Sequence, residues 1–245
     1  MSVVNNEIYN LYGDRWYTAK DDPIALLRAE TKVKLPWVVG KLKSLNFPPS
    51  STAILDVGCG AGFLANPLAS QGFKVTGVDM SDDSLAVARR FDATNSVHYL
   101  QADAYSLPFA DQSFDVVTAM DFLEHVEDPS SIIKEFSRVL KPGGVFIFHT
   151  FNRNFLAYLV IIKFVEWFVK NTPKHMHILR LFIKPSELID FCRSAGFKED
   201  ELTGIKPKFS KVSWRDIKSG EVPEAFEFEL TRSLMLSYMG SAIKI

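Results

Sequence analysis

Residues Ile54–Leu64 read ILDVGCGAGFL, an apolar run that ends on Asp56 and passes straight into glycines at 58, 60 and 62. A strand that stops at such a turn lets the backbone come close to a ligand, because glycine has no Cβ and tolerates positive φ. The run therefore predicts a compact cofactor at the end of a strand; a purely structural glycine turn is the alternative. It is not a dinucleotide fingerprint, which needs a third glycine where Phe63 stands, and no G-x-x-x-x-G-K-[ST] phosphate loop occurs in the chain. A second constellation lies in Met120-Asp121-Phe122-Leu123-Glu124-His125-Val126. On a helical turn, Asp121, Glu124 and His125 fall at i, i+3 and i+4 and share one face. Two carboxylates and an imidazole so placed can hold a divalent cation, or Glu124 and His125 can act as an acid–base pair. Asp121 followed by Glu124 is also what a capping box looks like.

The scaffold for these residues is legible as strands and helices in alternation, the signature of a parallel sheet covered on both faces. Strands are predicted at 52–57, 74–79, 97–101, 114–120 and 145–150, with helices at 62–71, 81–91 and 130–140. Ser81 is a natural N-cap, and Lys141-Pro142-Gly143-Gly144 stops the third helix. Two further strands are read at 201–209 and 233–245. The fold class is thus α/β, a Rossmann-like, seven-stranded, mostly parallel sheet with helices on both faces. At 245 residues and 47% hydrophobic content, residues 1–245 form one domain with one sizeable core. Phe47-Pro48-Pro49-Ser50 separates a helical N-terminal segment, 1–50, from that core.

A net charge of −1 leaves no electrostatic footprint for nucleic acid, so a small-molecule substrate is expected. Cys59 and Cys192, the only cysteines, lack metal-ligand spacing and point to a reducing compartment. Cys59 reads as a small turn residue. No basic region followed by an apolar core opens the chain, and a cytoplasmic location is expected.

The glycine run resembles motif I of the class I S-adenosylmethionine (SAM) methyltransferases: an apolar pair, an acidic residue, then G-x-G-x-G. SAM carries an ammonium and a sulfonium, which suit a carboxylate such as Asp56. In such a fold the ligand lies outside the carboxyl ends of the strands. There Asp79, in VTGVDMS, would accept from the ribose diol beside Met80. Asp103, in QADAYSLPF, would accept from the adenine amine while Ala104 offers its backbone N–H and Met120 closes strand 4. Alone, either Asp is as well explained as a cap or turn residue.

LDVGCGAGFLA, VTGVDMS, FDVVTAMDFLEHVEDP, LKPGG, TFNRN, TPKHMH and FIKPSEL together resemble the ubiquinone-biosynthesis O-methyltransferases, which methylate catechol-like hydroxyls on polyprenylated quinone precursors. The resemblance runs from about Arg15 to Ile205 and departs over Lys206–Phe228, including Trp214-Arg215-Asp216 and Glu224–Glu229. It implies that Asp56, Gly58, Cys59, Gly60, Gly62 and Asp79 bind SAM, that Arg28 contacts the cofactor, and that Asp121, Glu124 and His125 bind Mg²⁺. Asp121 stands where the family has Glu, a shorter reach, and two acids with an imidazole are a softer ligand set than Mg²⁺ prefers.

The expected activity is methyl transfer from SAM to the phenolic hydroxyl of a lipid-tailed quinol, with Glu124 and His125 as catalytic residues. Other small acceptors (a sterol, a fatty acid, a soluble phenol) and a non-catalytic SAM-binding module are the alternatives. Residues 151–185 are predicted as an inserted helical lid over the acceptor. Within it, Lys163, Glu166 and Lys170 form a polar stripe extended by Lys174, among apolar and aromatic residues. The apolar run is too short to span a bilayer. The stretch 155–170 instead suits burial in the core, cover for an apolar substrate, or peripheral contact with a membrane surface.

Overall fold

The computed structural model describes residues 6–209 and 218–245. Along the chain run α1 (Arg15–Thr18), α2 (Ile24–Ser44), β1 (Ala53–Val57), α3 (Ala65–Ser70), β2 (Lys74–Asp79), α4 (Asp82–Arg90), β3 (His98–Gln101) and β4 (Phe114–Met120). They are followed by α5 (Pro129–Val139), β5 (Leu140–Phe151), α6 (Phe155–Ala157), α7 (Val165–Phe168), α8 (Pro185–Ser194), β6 (Phe197–Lys208), β7 (Glu227–Thr231) and β8 (Ser237–Lys244). One eight-stranded sheet has the order β3-β2-β1-β4-β5-β8-β6-β7. The first five strands are parallel, while β8, β6 and β7 pair antiparallel.

The central strands are continuous apolar runs because both faces are covered. Leu55, Val117, Phe146 and Phe148 pack on α5 and α8, while Ile54, Val116, Val145 and Ile147 pack with α2, α3 and α4. The Ser81 hydroxyl accepts the Ser84 N–H at 3.1 Å and starts α4 as predicted.

Three expectations are corrected. The sheet has an eighth strand, β7, whose alternating acids pair across to β6: Glu229 with Lys206 at 3.1 Å and Glu227 with Lys208 at 3.7 Å. The Lys141–Gly144 punctuation does not delay β5, which starts at Leu140; the register slips between Phe114 and Val116 to absorb it. The insert is helical over its first part and again only in a short 3₁₀ turn at Leu179–Leu181. From α6 it widens into a π-helical stretch, Tyr158–Phe164, then finishes in α7, so Lys163 pairs with Glu166 at 2.7 Å but Lys170 and Lys174 leave the stripe. Trp214-Arg215-Asp216 lie outside the described residues.

Candidate active site

A cavity of about 570 Å³ opens at the carboxyl ends of the parallel strands. Asp56, Gly58, Cys59, Gly60, Asp79, Met80, Asp103, Ala104 and Met120 all stand on its wall. Gly58 and Gly60 have φ of 68° and 50°. A side chain at Gly58 would collide with the Phe122 ring, and one at Gly60 would come within 3.2 Å of Trp16. The turn is thus both left-handed and hemmed in, and only glycine satisfies both conditions. It also fixes Asp79: the Gly60 N–H donates to Oδ2 at 2.8 Å and the Ser81 N–H to Oδ1 at 2.9 Å. A carboxylate oxygen has more than one lone pair, so both oxygens retain acceptor capacity toward the cavity. Burial raises the Asp79 carboxyl, partly offset by these N–H groups. Burial likewise pushes Asp56 up to about 7, although the Thr118 hydroxyl donates to it at 2.6 Å. Asp103 is exposed, and its Oδ1 accepts the Tyr105 N–H at 2.9 Å.

Two of the residues that the sequence assigns to the cofactor, Gly62 and Arg28, do not stand on this wall. Gly62 is not on the cavity wall; it makes room for the Tyr99 hydroxyl and for Asn66. The Arg28 guanidinium donates to the carbonyls of Trp16, at 2.7 Å, and of Ala19. It ties α2 to the α1 segment rather than facing the cavity.

The expected trio of Asp121, Glu124 and His125 is divided. Only Leu123–His125 make a helical turn, and Asp121 precedes it with φ of 53°, so the three do not form one helical face. Asp121 instead meets α2 and β5. The buried Lys34 ammonium donates to its Oδ1 at 2.6 Å and Oδ2 at 2.5 Å, and His149 Nδ1 lies 2.7 Å from Oδ1. Lys34 also donates to Glu30 Oε2 at 2.8 Å. Burial opposes charge on both partners. Their mutual attraction wins, holding Asp121 ionised well below the usual carboxylate range and Lys34 protonated above its own.

Glu124 and His125 keep different company. Their ligand atoms lie within 4.8 Å of one another and of His177, a residue brought in by the insert; Glu30, Asp121 and His149 form the other such grouping among the described residues. The Thr150 hydroxyl donates to Glu124 Oε2 at 2.8 Å, while Oε1 and His125 Nδ1 are buried without a partner. Tyr9, from the N-terminal segment, places its hydroxyl 3.4 Å from His125 Nε2. Burial, reinforced by the Asp121 charge, pushes Glu124 up to about 8. Burial pushes His125 down to about 4 and His177 to about 3. Around pH 7 the cluster is therefore a neutral carboxylic acid beside two neutral imidazoles. Both imidazoles and Tyr9 face the cavity, between apolar neighbours such as Phe151 and Met176.

Sequence reading missed Tyr9, Lys34, His149 and His177 as site residues. The TPKHMH element containing His177 stands out in the sequence, but nothing in its spacing ties it to His125.

Residues 55–148 match a family model described as a methyltransferase domain. The chain is 37% identical over 195 residues to a ubiquinone biosynthesis O-methyltransferase of Thiobacillus denitrificans, covering 78% of this chain and 81% of that one. It is 38% identical over 188 residues to the enzyme of the same name from Coxiella burnetii, covering 76% and 74%. Among solved structures, a SAM-dependent methyltransferase of Thermotoga maritima superposes with a TM-score of 0.64 at 22% identity, over 98% of this chain and 99% of that one. Magnesium protoporphyrin IX methyltransferase of Synechocystis PCC 6803, with S-adenosylhomocysteine bound, gives a TM-score of 0.59 at 21% identity, over 86% and 82%. The last two likenesses speak for the fold alone. The curated relatives, at 37 and 38% identity over most of both chains, make the chain a SAM-dependent methyltransferase that belongs to the ubiquinone biosynthesis O-methyltransferase family.

Proposed function

We propose that this O-methyltransferase methylates a phenolic hydroxyl of a lipid-tailed quinol precursor, with imidazole as the proton acceptor. The observation that carries the reading is the pairing, in one cavity, of a carboxylate-lined glycine turn at one end with two neutral, half-buried imidazoles among apolar side chains at the other. In this reading Asp79 holds the ribose, Asp103 and Ala104 hold the adenine, and Asp56 favours the ammonium end of SAM. The phenol lies beside His125 and His177. As its oxygen attacks the methyl carbon, the C–S bond breaks with its electron pair going to sulfur, and the phenolic proton passes to imidazole. The products are the methyl ether and S-adenosylhomocysteine. Alignment and exclusion of water do much of the rest, since well-oriented reactants gain roughly 7–11 kcal/mol through approximation.

The residues present do not fit Mg²⁺, which prefers an all-oxygen octahedral shell. Asp121 is taken by Lys34 and His149, leaving one carboxylate and two imidazoles, a donor set suited to softer ions such as Zn²⁺ or Mn²⁺. No described helix is long and apolar enough to cross a membrane. The exposed Phe155, Leu156 and Trp167 of the insert support contact with a membrane surface, from which a lipid-tailed acceptor would be drawn.

The test is transfer of label from methyl-labelled SAM to a catechol acceptor, before and after EDTA treatment. Labelled ether with or without EDTA is expected. No labelled ether would reject the acceptor class; activity lost to EDTA and restored by Mg²⁺ would reject imidazole acting without a metal.

A further inference from the structure

The active-site cavity continues past its imidazole end. Leu26, Ile161, Val165, Pro207 and Phe228 stand on its wall and also on the wall of a second chamber of about 90 Å³. One side of that chamber is the insert, through Val160, Phe164 and Phe168; the other is the approach to β7, through Val222 and Phe226. Its one charged wall residue among those described is Glu221, which is exposed and so belongs to the rim.

The Lys170 N–H donates to the Gly220 carbonyl at 3.0 Å across the two sides, and the Val222 N–H ties the approach to β7 to the Lys20 carbonyl of the N-terminal segment at 2.7 Å. The Phe209 ring stands between those of Phe164 and Phe226, with centroids 5.9 and 6.4 Å away. Phe209, 48% exposed, marks where the chamber meets solvent. A polar substrate gains nothing from such walls, since burying an unpaired polar group is costly. Hydrocarbon leaving water does gain, by a factor on the order of four in affinity per buried methylene.

We propose that this chamber is the tail subsite: it takes the first isoprene or alkyl units of the acceptor's side chain while the phenol head stays beside His125 and His177. The proposal rests on the function argued above. It assigns acceptor selectivity to the insert acting together with Pro207, Val222, Phe226 and Phe228.

The experiment measures kcat/KM for catechols carrying no side chain, one prenyl unit, several prenyl units, or n-alkyl chains of matched length. The comparison is between the wild-type protein and Val160→Trp, a residue on the chamber wall but not on the main cavity wall. In the wild type, the first units of either tail are expected to raise kcat/KM by a factor on the order of ten or more. A gain with prenyl and not with alkyl tails would assign the chamber to branched chains, within the proposal. Val160→Trp is expected to erase the gain while leaving the tail-less catechol unchanged. Calorimetric titration with S-adenosylhomocysteine checks that the variant is folded; should it fail to fold, the wild-type series decides. A kcat/KM indifferent to tail length, or a Val160→Trp loss equal for tailed and tail-less acceptors, would overturn the subsite while leaving catechol methylation standing. No methylation of any catechol would overturn both.

Discussion

Replacing Lys34 with methionine keeps most of the side chain's length and removes its charge, leaving the buried Glu30 and the half-buried Asp121 with one cation fewer. Lys34 is 2% exposed, and its ammonium donates to three carboxylate oxygens between 2.5 and 2.8 Å. Breaking a buried ion pair from one side costs roughly 3–5 kcal/mol, mostly the penalty of the charge left behind. That is a large part of the roughly 5–15 kcal/mol that holds a domain together. At about 2–4 °C per kcal/mol for a chain of this size, Tm is expected to fall by about 6–20 °C.

The loss has a pH signature. The Lys34 charge works against burial to hold Asp121 below the usual carboxylate range, so without it the carboxyl takes up a proton more readily in the folded variant than in the folded wild type. Stability that depends on an ionised carboxylate is lost as pH falls, so the difference between the two proteins shrinks toward acid pH. Thermal unfolding of both proteins should therefore show a smaller deficit at about pH 4 than at about pH 7. The double variant Lys34→Met/Asp121→Asn should recover part of the loss, because it discharges one stranded acid. A Tm within about 2 °C of wild type, or a deficit unchanged across that pH range, would refute the view of Lys34 as the counter-ion of this cluster.

Three further outcomes are expected. Asp79→Asn should weaken S-adenosylhomocysteine binding by about 10- to 150-fold in calorimetry, the worth of about 1.5–3 kcal/mol for hydrogen bonds to a charged group; unchanged affinity would remove Asp79 from the ribose. Gly62→Ala, at φ of 80° and with its Cβ within 2.9 Å of Asn66 Nδ2, should cost about 1–3 kcal/mol in denaturant unfolding. Its cofactor affinity should barely move, and a selective loss of affinity would put Gly62 back in the site. Because burial holds His125 down at about 4, kcat should keep its value from neutrality down to about pH 5.5; an acid limb near the ordinary imidazole value of about 6.5 would contradict a desolvated base.

What was legible in the sequence and what was not divide along a physical line. β2 and β4 fall on their predicted bounds, and β1 is one residue shorter, because a strand buried on both faces must be a continuous apolar run and its end is marked by an acid or a glycine turn. β7 escaped because an edge strand alternates; EFELT resembles a charged loop until Lys206 and Lys208 are set opposite its glutamates. At the site, the cavity wall at the glycine turn was legible from local spacing, since Gly58, Gly60 and Asp79 sit in turns a few residues long. The electrostatics of the imidazole end were not, because they depend on where charge is neutralised. Asp121, Glu124 and His125 look equivalent within a single heptapeptide, yet a lysine 87 positions before Asp121 makes it a permanent anion. Burial beside that anion leaves Glu124 protonated, and burial leaves His125 neutral. The ion pair with Lys34 on α2 thus fixes the charge at Asp121, and that charge reinforces the proton on Glu124, whereas His125 stays neutral through burial and against the pull of the same charge.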